Sequence, residues 1–164
     1  MNITLIGMPA CGKSTVGVLL SRAAGMKMVD VDRLIERQEG LSLSKIIERD
    51  GDAAFRALEE EMNASLKLED TVIAPGGSVI YGPKAMEHLR KISLVVYLRL
   101  TLETMERRLH NLHARGVTFK PGQTIADLYA ERTPLYQRYS HIVIDCDSLR
   151  PREIVAAVRK ETGV

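Results

Sequence analysis

The chain has 164 residues, 45% of them hydrophobic, which suits one domain spanning residues 1–164 with a sizeable core. Its 23 basic and 21 acidic side chains are interspersed and leave a net charge of +2, so no basic face announces a nucleic acid and no acidic tail announces a basic partner. The longest unbroken apolar run, 94–98, is too short to cross a bilayer, residues 1–6 lack the basic start of a secretory signal, and Cys11 and Cys146 lack metal-type spacing. The expectation is a cytoplasmic protein with two free thiols and no membrane partner. Without heptads or a long exposed apolar strand, it is expected to be a monomer.

An apolar strand at 2–6 runs into Gly7-Met8-Pro9-Ala10-Cys11-Gly12-Lys13-Ser14-Thr15, which satisfies G-x-x-x-x-G-K-[ST] at every fixed position. Wrapping a triphosphate in backbone N–H groups needs glycines where a Cβ would block close approach or where φ is positive. The loop residues Gly7, Ala10, Cys11, Gly12, Lys13, Ser14 and Thr15 are therefore expected to bind ATP. A helix at 13–24 aims its positive end at the phosphates, with Lys13 as a point charge and Ser14 as a ligand for Mg²⁺.

Short apolar strands at 27–30, 71–74, 93–98 and 141–145 follow, alternating with helical segments at 31–38, 44–50, 53–67, 83–89, 102–111, 124–139 and 151–161. That alternation specifies a parallel sheet covered by helices. At the end of the second strand, Asp30-Val31-Asp32 has the i, i+2 spacing that sends both carboxylates of an extended chain to one side. One acid can then hold Mg²⁺ through water while the other takes a proton from a substrate hydroxyl, and Asp32 can also cap the helix that follows. Arg56 and Glu59 are helical neighbours, for which a surface ion pair is the usual meaning. The turn Pro75-Gly76-Gly77-Ser78 exposes backbone at the strand ends, either to hold a substrate or simply to reverse the chain. Residues 113–122 hold two glycines, a proline, Arg115 and Lys120, and read equally as a lid and as a surface connection. His110 and His113 lack a third ligand and read as surface imidazoles. Pro134 interrupts the helix around Arg132 and is expected to bend it and re-aim the arginine.

In order along the chain, these elements resemble the shikimate kinase family. The resemblance rests on the phosphate loop, on Val29-Asp30-Val31-Asp32-Arg33-Leu34-Ile35-Glu36, on Gly51-Asp52-Ala53-Ala54-Phe55-Arg56-Ala57-Leu58-Glu59 and on Arg132-Thr133-Pro134-Leu135-Tyr136. It implies a three-layer P-loop kinase fold, a five-stranded parallel sheet in the order 2-3-1-4-5, a lid at about 112–122 and an acceptor-binding region at about 31–62. The activity it implies is transfer of the ATP γ-phosphoryl group to the 3-hydroxyl of shikimate. Asp32 would bind substrate hydroxyls and help activate the nucleophile; Asp30 and Ser14 would hold Mg²⁺; Arg56 and Arg132 would grip the substrate carboxylate beside Gly76 and Gly77. Lys13 and Arg115 would stabilise the transferring phosphoryl, and Arg108 and Pro151 would sandwich adenine.

Two departures bear on the acceptor rather than on phosphoryl transfer. The family's triple glycine is Gly76-Gly77-Ser78 here, and its Arg-Pro-Leu-Leu lid is Arg115-Gly116-Val117-Thr118. The rival readings are a kinase of another small hydroxy acid, such as gluconate, and a nucleotide-binding module without turnover. No Asn-Lys-x-Asp guanine-reading motif occurs, which disfavours a GTPase.

Overall fold

Each residue of strand β1 (Ile3–Ile6) is buried, and so is each residue of β3 (Thr71–Ala74), as expected of strands covered on both faces. A computed structural model describes residues 1–9, 11–109 and 122–164. With β2 (Lys27–Asp30), β4 (Leu94–Arg99) and β5 (Ile142–Asp145) they form one parallel sheet in the order β2-β3-β1-β4-β5. The register pairs Ile3 with Val72 on one side and with Leu94 on the other, so β1 is central. Parallel neighbours need crossover connections, and helices supply them.

Helix α1 (Lys13–Ala24) packs against α8 (Pro151–Thr162), while α4 (Asp52–Ala64) packs against α5 (Pro83–Ile92). Between β2 and β3 the short helices α2 (Val31–Glu39) and α3 (Leu43–Asp50) lie against α4 and build the region beside the strand ends. Helices α6 (Leu102–Arg108) and α7 (Ile125–Tyr139) stand between β4 and β5 in the chain. Helix α7 opens on a capping box in which Thr124 and Asp127 satisfy each other's backbone N–H groups. It runs on through Pro134.

The strand boundaries expected from apolar runs hold to within a residue. Helix ends differ more, and side-chain bonds to backbone account for it. Helix α4 stops at Ala64 rather than 67, where the Ser65 hydroxyl donates to the Met62 carbonyl at 2.9 Å and competes with the helical ladder. Helix α5 runs on to Ile92, where the Ser93 hydroxyl donates to Leu89 O at 2.6 Å. Helix α2 begins at Val31, so its N-cap is Asp30, which accepts from Arg33 N at 3.3 Å, and not Asp32 as the cap reading had it. A 3-10 turn at Val79–Tyr81 was not foreseen.

Candidate active site

The phosphate loop leaves the central strand at Gly7, and its backbone leaves no room for a side chain there. A Cβ at Gly7 would stand 2.8 Å from Leu98 O and 2.9 Å from Cys11 Sγ. Gly12 caps α1 at φ 90°, a conformation that favours glycine. Lys13 folds back over the loop, its ammonium donating to Gly7 O at 2.7 Å and Met8 O at 2.9 Å. Cys11 and Cys146 are buried free thiols. Thr15 is exposed on α1.

Beside the loop lies a cavity of about 340 Å³, lined by Lys13, Ser14, Asp30 and Asp32 together with Arg56, Glu59 and Arg132. Gly76 and Gly77 form part of its wall. The fold thus brings together most of the residues singled out from the sequence. The two aspartates reach the cavity by a route other than the one expected: Asp30 ends β2, and Asp32 sits in the first turn of α2, so a strand-to-helix transition replaces the extended i, i+2 geometry. Arg108 and Pro151 lie outside this cavity, at the exposed end of α6 and the exposed start of α8. Ala10, Arg115, most of the expected lid and both lid-region histidines fall outside the described residues.

The electrostatics of the acceptor side differ from a surface ion pair. Glu59, only 3% exposed, turns inward and accepts from the Ser78 hydroxyl at 2.7 Å. Burial pushes its carboxyl up to about 7; the Ser78 hydrogen bond opposes the rise, Asp32 adds to it, and Arg132 and Arg56 oppose it. Burial likewise lifts Asp32 to about 6, helped by Asp30 and resisted by Lys13. Both acids converge on Gly76, where a Cβ would lie 2.9 Å from Asp32 Oδ1 and 3.1 Å from Glu59 Oε2 at a φ of 92°. Gly77 has the same use for Arg132, whose Nη1 would stand 3.3 Å from a Cβ.

Arg132 is 6% exposed on α7, and one turn later Tyr136 donates to Gly77 O at 2.7 Å, tying that helix to the turn. Among the described residues, no carboxylate lies within ion-pair distance of Arg56 or Arg132. Tyr81 meets both instead. The Arg56 guanidinium carbon is 4.3 Å from its ring centroid and that of Arg132 5.4 Å, and Arg132 Nε donates to its hydroxyl at 3.4 Å.

Glu59, Ser78 and Tyr81 are the site residues whose placement the motifs did not announce. For Glu59 a signal existed: with Phe55 and Asn63 it forms the buried i, i+4, i+8 stripe of α4, and an acid on such a stripe needs partners. Nothing local marked Tyr81, and Ser78 stood out only as the departure from the family's triple glycine.

Oxygen donors from Ser14 and Asp30 beside Lys13 fit a hard cation held by one or two protein ligands and completed by phosphate oxygens. The described residues hold no cluster of three or more His, Cys, Asp or Glu side chains that would make an all-protein cage.

A phosphate loop on the central strand of a 2-3-1-4-5 parallel sheet, opening on a cavity with its own acids and arginines, defines a P-loop kinase of a small molecule. The comparisons narrow the class. A family model described as shikimate kinase matches residues 9–162, and the chain belongs to that family. It is 36% identical over 158 residues to a shikimate kinase of Sulfurihydrogenibium sp., covering 96% of this chain and 95% of that one. Among solved structures it resembles a shikimate kinase from Acinetobacter baumannii in complex with shikimate, with a TM-score of 0.87, 30% identity and coverage of 98% and 92% of the two chains. The shikimate kinase of Aquifex aeolicus aligns with a TM-score of 0.83 at 31% identity, covering 99% and 96%.

Proposed function

We propose that this chain transfers the γ-phosphoryl group of ATP to the 3-hydroxyl of shikimate, giving ADP and shikimate 3-phosphate for aromatic amino acid biosynthesis. The observation that carries this reading is the cavity that holds phosphate-loop Lys13 and Asp32 together with two guanidiniums that have no carboxylate within ion-pair distance among the described residues. A planar guanidinium takes a carboxylate bidentately, so Arg56 and Arg132, with the Gly76-Gly77 backbone, orient the acceptor by its acid group.

Oriented in this way, the 3-hydroxyl meets Asp32, whose carboxyl at about 6 is matched to accepting a proton near neutrality. The new bond joins that oxygen to Pγ as the bond from Pγ to the β,γ-bridging oxygen breaks, and the hydroxyl proton passes to Asp32. ADP departs. Lys13 exchanges its loop carbonyls for phosphate oxygens and, with Arg115, stabilises charge on the transferring group. Ser14 and Asp30 would hold Mg²⁺, which would supply positive charge against the phosphates. Arg108 and Pro151 take the adenine, and the protein acts as a cytoplasmic monomer of one domain.

Acceptor-dependent ADP release tests the reading, with shikimate, gluconate and a carboxylate-free shikimate analogue compared. Shikimate is expected to turn over well and the other two poorly. Equal turnover of shikimate and the analogue overturns the clamp, good turnover of gluconate without shikimate reassigns the acceptor, and no acceptor-dependent release identifies a binding module.

A further inference from the structure

The clamp poses an electrostatic problem. Two guanidiniums facing one cavity repel each other, and a carboxylate placed to neutralise them would compete with the acceptor's own acid group. Glu59 does not solve it, because its carboxyl is engaged by Ser78 and lies outside ion-pair distance of both arginines. Both guanidiniums instead meet one aromatic ring, at 4.3 and 5.4 Å from its centroid, and the ring's hydroxyl accepts from Arg132.

We propose that Tyr81 is the positioning residue of the acceptor clamp, holding Arg56 and Arg132 poised for a carboxylate without neutralising either. An aromatic face attracts a cation through its quadrupole yet carries no net charge, so it steadies the arginines and leaves their full charge for the ligand. The turn Val79–Tyr81 that presents the ring packs against α4. Arg56 has an alternative that the ring denies it. A void of about 150 Å³, lined by Arg56, Glu60 and Tyr81 among others, lies beside the clamp, and Glu60 is four residues on from Arg56 in α4. Without the ring, Arg56 is free to turn onto Glu60 and leave the acceptor.

This inference rests on the acceptor being a carboxylate bound at Arg56 and Arg132, and its test separates the two. Tyr81→Met keeps bulk without a π face; Tyr81→Phe keeps the face without the hydroxyl. In Tyr81→Met the KM for shikimate is expected to rise about tenfold, the scale of cation–π contacts to two cations, with the KM for ATP nearly constant. The kcat/KM preference for shikimate over the carboxylate-free analogue falls by the same factor, and Tyr81→Phe recovers most of it. An unchanged preference in Tyr81→Met, or equal damage in Tyr81→Phe, overturns the proposal; a Met variant that does not fold is replaced by Tyr81→Leu. Should the wild type ignore shikimate altogether, the functional reading fails and the ring is judged by a ligand-free double-mutant cycle. Urea unfolding of Tyr81→Met, Arg132→Gln and the pair then has to reveal coupling of about threefold or more in the unfolding constant, and additivity overturns it.

Discussion

The two sides of the cavity are built on different plans. The proposed nucleotide side is one contiguous piece of chain, residues 7–15, in which backbone groups and a helix end would do most of the binding. The acceptor side gathers Arg56 and Glu59 from α4, Ser78 from the turn after β3 and Arg132 from α7, with Tyr81 against both arginines and Asp32 of α2 common to the two sides. The nucleotide's phosphates are common to all kinases of this class and are met by a fixed cradle. The acceptor is particular, and it is met by side chains that hold one another in place, through the Ser78 to Glu59 hydrogen bond and the contacts of Tyr81 with both arginines. The difference implies that damage on the nucleotide side stops all chemistry, whereas damage on the acceptor side changes selectivity and pH response.

The largest effect tests the cradle. Lys13→Ala is expected to lower kcat at least about 10³-fold, the scale of losing a preorganised charge in the transition state, with little change in folding. Retained activity in steady-state assays would remove this loop from the active site. Next comes the acid that bridges the two sides. Asp32 has to be ionised to accept the hydroxyl proton, so kcat/KM is expected to climb as pH rises through about 6 and to fall away below it. Asp32→Asn should lose roughly 10² to 10⁴ in rate and flatten that limb of the pH profile.

On the acceptor side alone, Arg56→Lys keeps the charge and loses the planar fork. It is expected to cost roughly 1 to 3 kcal/mol in kcat/KM for shikimate while the ATP dependence stays nearly intact. A parallel loss in ATP affinity would show that the two sides are one coupled unit. The remaining effect is on folding and leaves the chemistry aside. Glu59 is raised from 4.5 to about 7, so the native state binds the extra proton, and the stability this group contributes is fully present below about 4.5 and is lost as pH rises through 7. At about 1.36 kcal/mol per unit this is on the order of 3 kcal/mol, shared with the neighbouring Asp32, which acts in the same direction between 3.8 and about 6. Urea unfolding at pH 5 and pH 8 measures the decline, and Glu59→Gln should flatten it.

The chain itself determined what is local. Buried parallel strands are short apolar runs, so their positions could be read to within a residue, and the phosphate loop is a continuous motif whose strand and helix are its immediate neighbours. The strand-end position of Asp30 and Asp32 pointed to the crevice beside the phosphate loop, but resemblance carried the assignment of Arg56 and Arg132 to the same site, because nothing in their spacing along the chain shows that α4 and α7 face one cavity. Only the tertiary structure decided how the acceptor side is held. Residues 56 and 59 look like a surface pair until α4 turns Glu59 inward onto Ser78, and Tyr81 looks like any tyrosine until the turn after β3 sets its ring against guanidiniums from two helices. Burial and long-range contact are properties of the packed chain, and they move a carboxyl from 4.5 to about 7 without altering a residue.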